Sequence, residues 1–210
     1  MSSYRNIAVT YVPLLCGVLL MIMTGPPTHA TDEPSPDGPA TFLLTDFSSL
    51  TPELGWYVQN DNVMGGRSEG GFNIIEEDQQ LLFTGSTNTN GGGFSSIRTQ
   101  PFKLDLAEYD GIQLRLKADG RRYTWQIQTS ARYRRFRVSY WAEFDTVADE
   151  WITVNIPFKM FYPQIRGFPL DGPLLDPGDT REFGLYIYDK KDGAFKLELD
   201  SISAYAAANP

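Results

Sequence analysis

Hydrophobic and polar residues alternate with a period of two along most of this chain. In one stretch, Ile112, Leu114 and Leu116 alternate with polar neighbours, and Trp125 and Ile127 do the same further on. Alternation of this kind is typical of β-strands with one buried and one solvated face. About ten such strands are predicted. They lie at residues 42–47, 72–76, 81–86, 94–99, 112–116, 125–128, 136–140, 152–156, 183–188 and 195–199.

Helical periodicity is almost missing, since only residues 158–162 predict a single helical turn. Turn sequences such as Asp110-Gly111, Asp119-Gly120 and Asp192-Gly193 separate the predicted strands. Many short strands without helices predict a sandwich or a barrel. We favour an all-β jelly-roll sandwich over an immunoglobulin-like one, because the strand count is high and no Cys-Trp-Cys framework is present.

The N-terminus has the pattern of a secretory signal peptide over residues 1–30, with an apolar run followed by Thr28-His29-Ala30. An uncleaved membrane anchor formed by residues 7–23 is the alternative. Residues 31–41 are rich in proline and acidic side chains, which predicts a disordered linker. Residues 42–205 form the predicted domain and residues 206–210 a short tail. Because of the predicted signal peptide, we expect an exported protein, periplasmic or secreted.

The only histidine, His29, and the only cysteine, Cys16, both lie in the predicted signal. The predicted domain therefore lacks the side chains for Ser-His-Asp or Cys-His catalysis, and for zinc sites built on them. The net charge of −8 argues against general nucleic-acid binding. We expect a monomeric domain without a cofactor or metal, which binds either a protein client or a glycan.

The densest polar segment runs from Trp56 to Gly70 and contains Asn60-Asp61-Asn62 and the pair Gly65-Gly66. Asparagine and aspartate side chains in such a loop either hydrogen-bond the local backbone or contact a ligand. The residue types alone favour the structural interpretation, and both stay open.

Several ordered motifs resemble those of the complex I intermediate-associated protein 30 family. The string W-x3-NDxVMGGxSEG begins at Trp56. A glycine-rich NGGGFSSIR segment starts at Asn90, LAEYDGIQLRL at Leu106, DGRRY at Asp119, and a W-x-T-V-x-I-P-F segment at Trp151. The resemblance implies a galactose-binding-like jelly roll. The family's mitochondrial member is an assembly factor for respiratory complex I without known catalysis.

This resemblance raises the expectation that the Trp56 loop and the glycine-rich segment share a role in binding. We expect Trp56, Asp61, Asn62 and Arg98 to converge on one surface. The full set of predicted binding residues is Trp56, Asn60, Asp61, Asn62, Met64, Gly65, Gly66, Ser68, Asn90, Gly92, Phe94, Arg98, Arg121 and Tyr123.

Two further groups of residues suggest other ligands or reactions. Arginines at 121, 122, 132, 134, 135 and 137 are interleaved with aromatic residues, a combination that suits anionic ligands. A solvated hairpin face is the preferred interpretation, because Arg135 and Arg137 fall on the polar alternation. Scattered carboxylates leave open a glycosidase-like pair, or a calcium site at Asp171, Asp176 and Asp179.

The sequence therefore predicts a non-catalytic binding module. A chaperone or assembly-factor-like domain that binds a protein is the first hypothesis, a carbohydrate-binding module is the alternative, and a glycosidase-like enzyme ranks third.

Overall fold

The computed structural model describes residues 40–207. The predicted signal, residues 31–39 of the predicted linker and residues 208–210 of the tail lie outside this range. Thr41, assigned to the linker, is instead the first residue of a strand. Within residues 40–207, no helix has the length and apolar character needed to cross a membrane.

The described chain forms thirteen strands and three short 3-10 helices. The strands are β1 (Thr41–Thr45), β2 (Tyr57–Asn60), β3 (Glu69–Ile75), β4 (Gln80–Thr87), β5 (Ser95–Arg98), β6 (Gly111–Ala118), β7 (Arg122–Tyr133), β8 (Phe136–Asp145), β9 (Trp151–Pro157), β10 (Tyr162–Ile165), β11 (Phe168–Pro169), β12 (Glu182–Ile187) and β13 (Gly193–Tyr205). The 3-10 helices are Asp61–Met64, Phe158–Met160 and Pro177–Asp179.

Two antiparallel sheets make up the fold. The six-stranded sheet has the order β3-β4-β13-β6-β9, and β1 also pairs with β13. The seven-stranded sheet has the order β11-β10-β8-β7-β12-β5-β2. Neighbours in both sheets are mostly distant in sequence, as expected for a jelly roll. The predicted all-β sandwich is confirmed.

Alternate residues of the central strands fill the core between the sheets. In β7 the side chains of Tyr123, Trp125 and Ile127 are fully buried, and Phe183 and Leu185 of the neighbouring β12 are too. Burial of each such side chain contributes about 1.5–3 kcal/mol to folding. Residues of the opposite parity on the seven-stranded sheet therefore face away from the core.

Three strands were not predicted from the sequence, namely β2, β10 and β11. The edge strand β2 lacks a clear alternation, and β10 contains Pro163, which normally argues against a strand. The predicted helical turn at residues 158–162 is a 3-10 helix over Phe158–Met160, and β10 begins at Tyr162.

Candidate functional site

Asp61 lies at the centre of a buried polar cluster that joins two loops. Its side chain is fully buried, and its Oδ1 accepts the Ser68 backbone N–H at 2.9 Å. Its Oδ2 accepts the Ser68 hydroxyl at 2.7 Å and the Gly93 and Phe94 N–H groups at 2.6 and 3.2 Å. We call this cluster of Asp61, Ser68, Gly93 and Phe94 the Asp61 latch. It fixes the turn after β2 to the glycine-rich segment before β5.

Two glycines make room for the latch. A Cβ atom added at Gly66 or at Gly92 would overlap the Asp61 carboxylate. Gly65 has a different role. It ends the 3-10 helix with a φ of 85°, in the left-handed region that favours glycine. The glycines of both motifs therefore serve the packing and the path of the backbone.

Asn60 is also committed to internal hydrogen bonds. Its Nδ2 donates to the Gly70 carbonyl at 3.1 Å, and its Oδ1 accepts the Ser95 hydroxyl at 2.6 Å. The adjacent side chains of Asn60 and Asp61 thus hold β2 to the start of β3 and to the β5 segment.

The ionisation of Asp61 fits this structural role. Burial disfavours the charged form, but hydrogen bonds from Gly93, Ser68 and Phe94 outweigh it and lower the pKa below the usual value of 3.8. The carboxylate is ionised at neutral pH and saturated with donors from the protein itself. It is therefore not available to a ligand.

Arg121 and Tyr123, also predicted to bind a ligand, are structural as well. The Arg121 guanidinium pairs with Asp189 at 2.6 Å and donates to Thr87 Oγ1 and to the carbonyls of Gly193 and Ala194. Tyr123 is fully buried in the core. The DGRRY segment therefore ties the ends of the two sheets together.

The expected convergence of Trp56, Asp61, Asn62 and Arg98 does not occur. Trp56 packs against the core and lines a separate cavity beside Phe47 and Leu54. Asp61 is buried, whereas Asn62 is exposed on the loop surface. Gly65 and Asn90 are likewise exposed in loops.

A cleft of about 620 Å³ lies on the outer face of the seven-stranded sheet. We call it the sheet cleft. It is lined by Gln59, Val63, Met64, Phe94, Arg98, Gln126, Gln128, Phe136, Arg137, Ser139, Trp141, Gln164, Ile165, Arg166, Gly167, Tyr186 and Tyr188. Of the predicted binding residues, the structure brings Met64, Phe94 and Arg98 together here.

Gln126 organises the cleft from β7. Its side chain is 1% exposed, and its Oε1 accepts both the Trp141 indole N–H and the Tyr186 hydroxyl, each at 3.0 Å. Its Nε2 has no hydrogen-bond partner among the described residues, and neither has Arg98 Nε. Buried donors of this kind are rare, because leaving one unpaired costs about 1–3 kcal/mol.

Aromatic rings and an apolar rim complete the cleft. The Arg98 guanidinium lies 5.1 Å from the centre of the Tyr186 ring, which itself packs against Trp141. Both rings are largely covered, since Trp141 is 9% and Tyr186 3% exposed. On the rim, Val63 and Met64 are 64% and 65% exposed. The rim therefore offers more apolar surface than these two rings do, whereas Phe94, Phe136 and Tyr188 are half-buried.

The charges at the cleft are positive. Arg98, Arg137 and Arg166 line it, and none of the described lining residues carries a carboxylate. Glu182 lies nearby on β12 and is 5% exposed. Burial raises the pKa of Glu182, and attraction to Arg98 and Arg137 offsets this only in part.

Most cleft residues escaped the sequence prediction. Trp141 and Tyr186 occupy strand positions where the alternation predicts polar residues, and Tyr188 follows β12 in the same alternation. An aromatic residue at such a position was the available signal. Arg137 was interpreted as part of a solvated hairpin face. Phe136 alternates with Arg135 and Arg137, which places it on the predicted buried face, but it lines the cleft beyond a register shift that separates Gln128 from Arg132 in the β7–β8 ladder.

Two of the carboxylates considered for a calcium site, Asp176 and Asp179, accept hydrogen bonds within the fold. Within residues 40–207, no group of three or more histidine, cysteine, aspartate or glutamate side chains is placed to hold a metal ion. Asp176 accepts the Gly178 N–H, and Asp179 accepts hydrogen bonds from Ser130 and Arg181. The hydrogen bonds from Ser130 and Arg181 lower the Asp179 pKa to about 2.

Comparisons with known proteins agree on the fold and point to one family. The family model for complex I intermediate-associated protein 30 matches residues 45–199. The uncharacterized protein C9E9.15 of Schizosaccharomyces pombe is 30% identical in an alignment of 173 residues, and the match covers 71% of this chain and 79% of that protein. The mitochondrial complex I intermediate-associated protein 30 of Mus musculus is 26% identical in an alignment of 171 residues, and the match covers 71% of this chain. This chain spans about half of the mouse protein, 52% of its length.

Among solved structures, a family 11 carbohydrate-binding module from Clostridium thermocellum, in complex with a β-1,3-1,4-mixed-linked tetrasaccharide, matches with a TM-score of 0.57. The match covers 81% of this chain and 98% of the module at 16% identity, so it shows a shared fold. Together with the resemblance of the motifs, the match over residues 45–199 shows that this chain belongs to the complex I intermediate-associated protein 30 family.

Proposed function

We propose that this chain is a non-catalytic, assembly-factor-like domain that binds a protein partner in the sheet cleft. The observation that carries the proposal is the pair of buried donors, Gln126 Nε2 and Arg98 Nε, that have no partner among the described residues. Both atoms are covered, so side chains at the cleft must move aside before carbonyl or carboxylate oxygens of a partner can satisfy them.

The rim favours a protein as this partner. Val63 and Met64 project from the 3-10 helix that the Asp61 latch holds in place. Flexible methionine side chains and arginines are typical of protein-binding surfaces. The mouse relative, named as a protein associated with complex I intermediates, supports the same class of function.

The lining also supports the absence of catalysis. The polar groups at the cleft are amides, guanidinium groups and hydroxyls, and general acid–base chemistry depends mostly on histidine or carboxylate side chains. The cleft residues are therefore suited to binding.

Carbohydrate binding is the second candidate. The cleft combines aromatic rings with the amide side chains of Gln59, Gln126 and Gln128 on the outer face of a sheet. A similar fold holds a tetrasaccharide in the Clostridium thermocellum module. Against this candidate, the rings of Trp141 and Tyr186 expose little of the surface on which a sugar would stack.

Site-specific photo-crosslinking in the native cells tests the first candidate. The full chain would carry benzoylphenylalanine at position 64, on the rim, or at position 50 as a control, where Leu50 is 93% exposed outside the cleft. We expect a discrete protein adduct from position 64 that position 50 does not give. Equal adduct patterns from the two positions would contradict a cleft-directed partner.

A matched pair of variants extends the test. The double substitution Val63→Asp and Met64→Asp should abolish complex formation, whereas Leu50→Asp with Leu174→Asp changes the charge equally at exposed sites outside the cleft. A glycan array run on the same proteins decides the second candidate. The carbohydrate-binding module would be favoured if the protein binds a sugar, the Val63→Asp and Met64→Asp substitutions abolish that binding, and no protein adduct forms.

We further propose that the protein is exported, on the basis of the signal pattern over residues 1–30. Mass spectrometry of the native protein should find a mature N-terminus at Thr31 if the signal is cleaved. A protein in the membrane fraction with residues 7–23 intact would indicate the anchor instead, and an uncleaved protein in the cytosol would contradict export.

A further inference from the structure

We infer that the sheet cleft selects an acidic, extended protein segment, whose carboxylates pair with Arg137 and Arg166 on the rim and Arg98 on the floor. This inference rests on the proposed function and adds the chemistry of the partner. The whole chain has a net charge of −8, so a cleft with only cationic charged residues stands out from its surroundings. A local field of opposite sign to the net charge attracts and orients an anionic partner.

The three arginines reach the cleft from different elements. Arg98 ends β5, Arg137 lies in β8, and Arg166 lies in the turn that joins β10 to β11. They are therefore spread across the sheet, an arrangement that fits several carboxylates along an extended chain.

Among the ion pairs in residues 40–207, none includes Arg98, Arg137 or Arg166, although the nearby Glu182 attracts Arg98 and Arg137. Arg121, by contrast, is bound to Asp189 and to several carbonyl groups. The difference separates arginines that hold the fold from arginines that are available to a partner.

Aromatic rings orient two of these guanidinium groups. Arg98 lies over Tyr186, and the Arg166 guanidinium lies 5.3 Å from the centre of the Phe136 ring. A guanidinium held over a ring has fewer accessible conformations, and its accessible N–H groups can still pair with a carboxylate. Part of the entropy cost of ordering these side chains is therefore met before a ligand binds.

Glu182 reduces the positive electrostatic field of the cleft arginines without cancelling it. It is the carboxylate that interacts with both Arg98 and Arg137, and it is almost buried. When it is ionised, its negative charge offsets part of the positive charge of Arg98 and Arg137. Replacement of Glu182 by glutamine removes that negative charge and should therefore tighten the binding of an acidic segment.

Titration of the ¹⁵N-labelled full chain with a decaglutamate peptide tests this inference, with a decaglutamine peptide of the same length as the neutral control. We expect decaglutamate to shift the Trp141 indole N–H and the Gln126 side-chain amide signals, and to bind about tenfold more tightly than decaglutamine. Affinity for decaglutamate should fall as salt is raised, because screening weakens rim charges.

Charge-matched variants localise the effect. The double variant Arg137→Gln, Arg166→Gln should weaken decaglutamate binding about tenfold. The control, Lys103→Gln with Arg115→Gln, removes two exposed positive charges outside the cleft and should change affinity less than twofold. Equal losses in the two double variants would overturn the inference, because they would report only the net charge.

The remaining outcomes separate this inference from the proposed function. If decaglutamate and decaglutamine shift the cleft signals equally, selection by charge is wrong while a protein-binding cleft survives. If polygalacturonate binds at the same signals more tightly than decaglutamate, an anionic glycan replaces the acidic segment. If the crosslinks at position 64 match those at position 50, the proposed function itself fails, whatever the peptides do.

Discussion

The Asp61 latch and the sheet cleft are neighbouring polar clusters that differ in how completely their buried polar groups are hydrogen-bonded. In the latch, the buried Asp61 carboxylate accepts four hydrogen bonds from Ser68, Gly93 and Phe94. In the cleft, Gln126 and Arg98 keep buried donors without partners. Phe94 belongs to both clusters, since its N–H bonds Asp61 and its ring lines the cleft.

The difference shows that a motif dense in polar residues need not be the binding site. The NDxVMGGxSEG string contains charged and amide side chains that the sequence suggests are free to bind a ligand. In the structure, Asn60, Asp61 and Ser68 form hydrogen bonds within the fold instead. Its apolar Val63 and Met64 reach the cleft. Satisfied polar groups stabilise a structure, whereas the unpaired donors of Gln126 and Arg98 lie at a cleft where a ligand would supply acceptors.

The largest expected effect comes from breaking the latch. Asp61→Ala removes a buried acceptor and leaves the donors of Ser68, Gly93 and Phe94 unpaired, so we expect a loss of about 3–5 kcal/mol in the free energy of unfolding. Urea denaturation measures it. Asp78→Ala, at an exposed turn residue, is the control and should change stability by less than about 0.5 kcal/mol. Similar effects of both substitutions would refute the structural role of Asp61.

A smaller effect follows from filling the space beside Asp61. Gly66→Ala places a methyl group where the carboxylate lies, and we expect it to cost about 1–3 kcal/mol. Gly71→Ala is the matched control, because a Cβ there meets no atom within 4 Å. Thermal unfolding of the two variants should differ clearly, and equal midpoints would show that the loop relaxes around the added atom.

The ionisation of Asp61 predicts acid sensitivity. Because its pKa is lowered in the folded state, its contribution to stability is present above its ordinary value of 3.8 and is lost as the pH falls through the lower folded value. The stability gap between the wild type and Asp61→Asn should therefore be constant at neutral pH and shrink in acid. A gap independent of pH would mean that the charge contributes nothing.

Glu182 should show the opposite dependence and the smallest effect. Its pKa is raised in the folded state, so its contribution is full below the unfolded pKa and is lost as the pH rises through the folded one. Glu182→Gln should therefore raise the urea midpoint at pH 7 and lose this advantage near roughly pH 4. A lower midpoint at pH 7 would mean that attraction to Arg98 and Arg137 outweighs burial.

The fold was predictable from the sequence, because a period of two reports burial on one face of a strand. The strands around Leu114, Trp125 and Leu197 follow from this signal alone. The edge strand β2 did not, since its residues are only partly buried, and β10 did not because it contains a proline.

The candidate site was predictable only in part. Met64, Phe94 and Arg98 lie in motifs that drew attention by their composition. Gln126 and Tyr186 lie on regular strands, and their meeting depends on the pairing of β7 with β12, which brings together residues about sixty positions apart. Local sequence patterns do not encode such pairings.

The Asp61 latch also closes a long loop without a covalent bond. The Gly93 N–H and the Asp61 carboxylate are 32 positions apart in the chain, a span over which small exported domains often use a disulfide. Residues 40–207 contain no cysteine, so this crosslink has no redox chemistry. It forms equally well under reducing and oxidising conditions, and the same domain design therefore suits compartments of either kind.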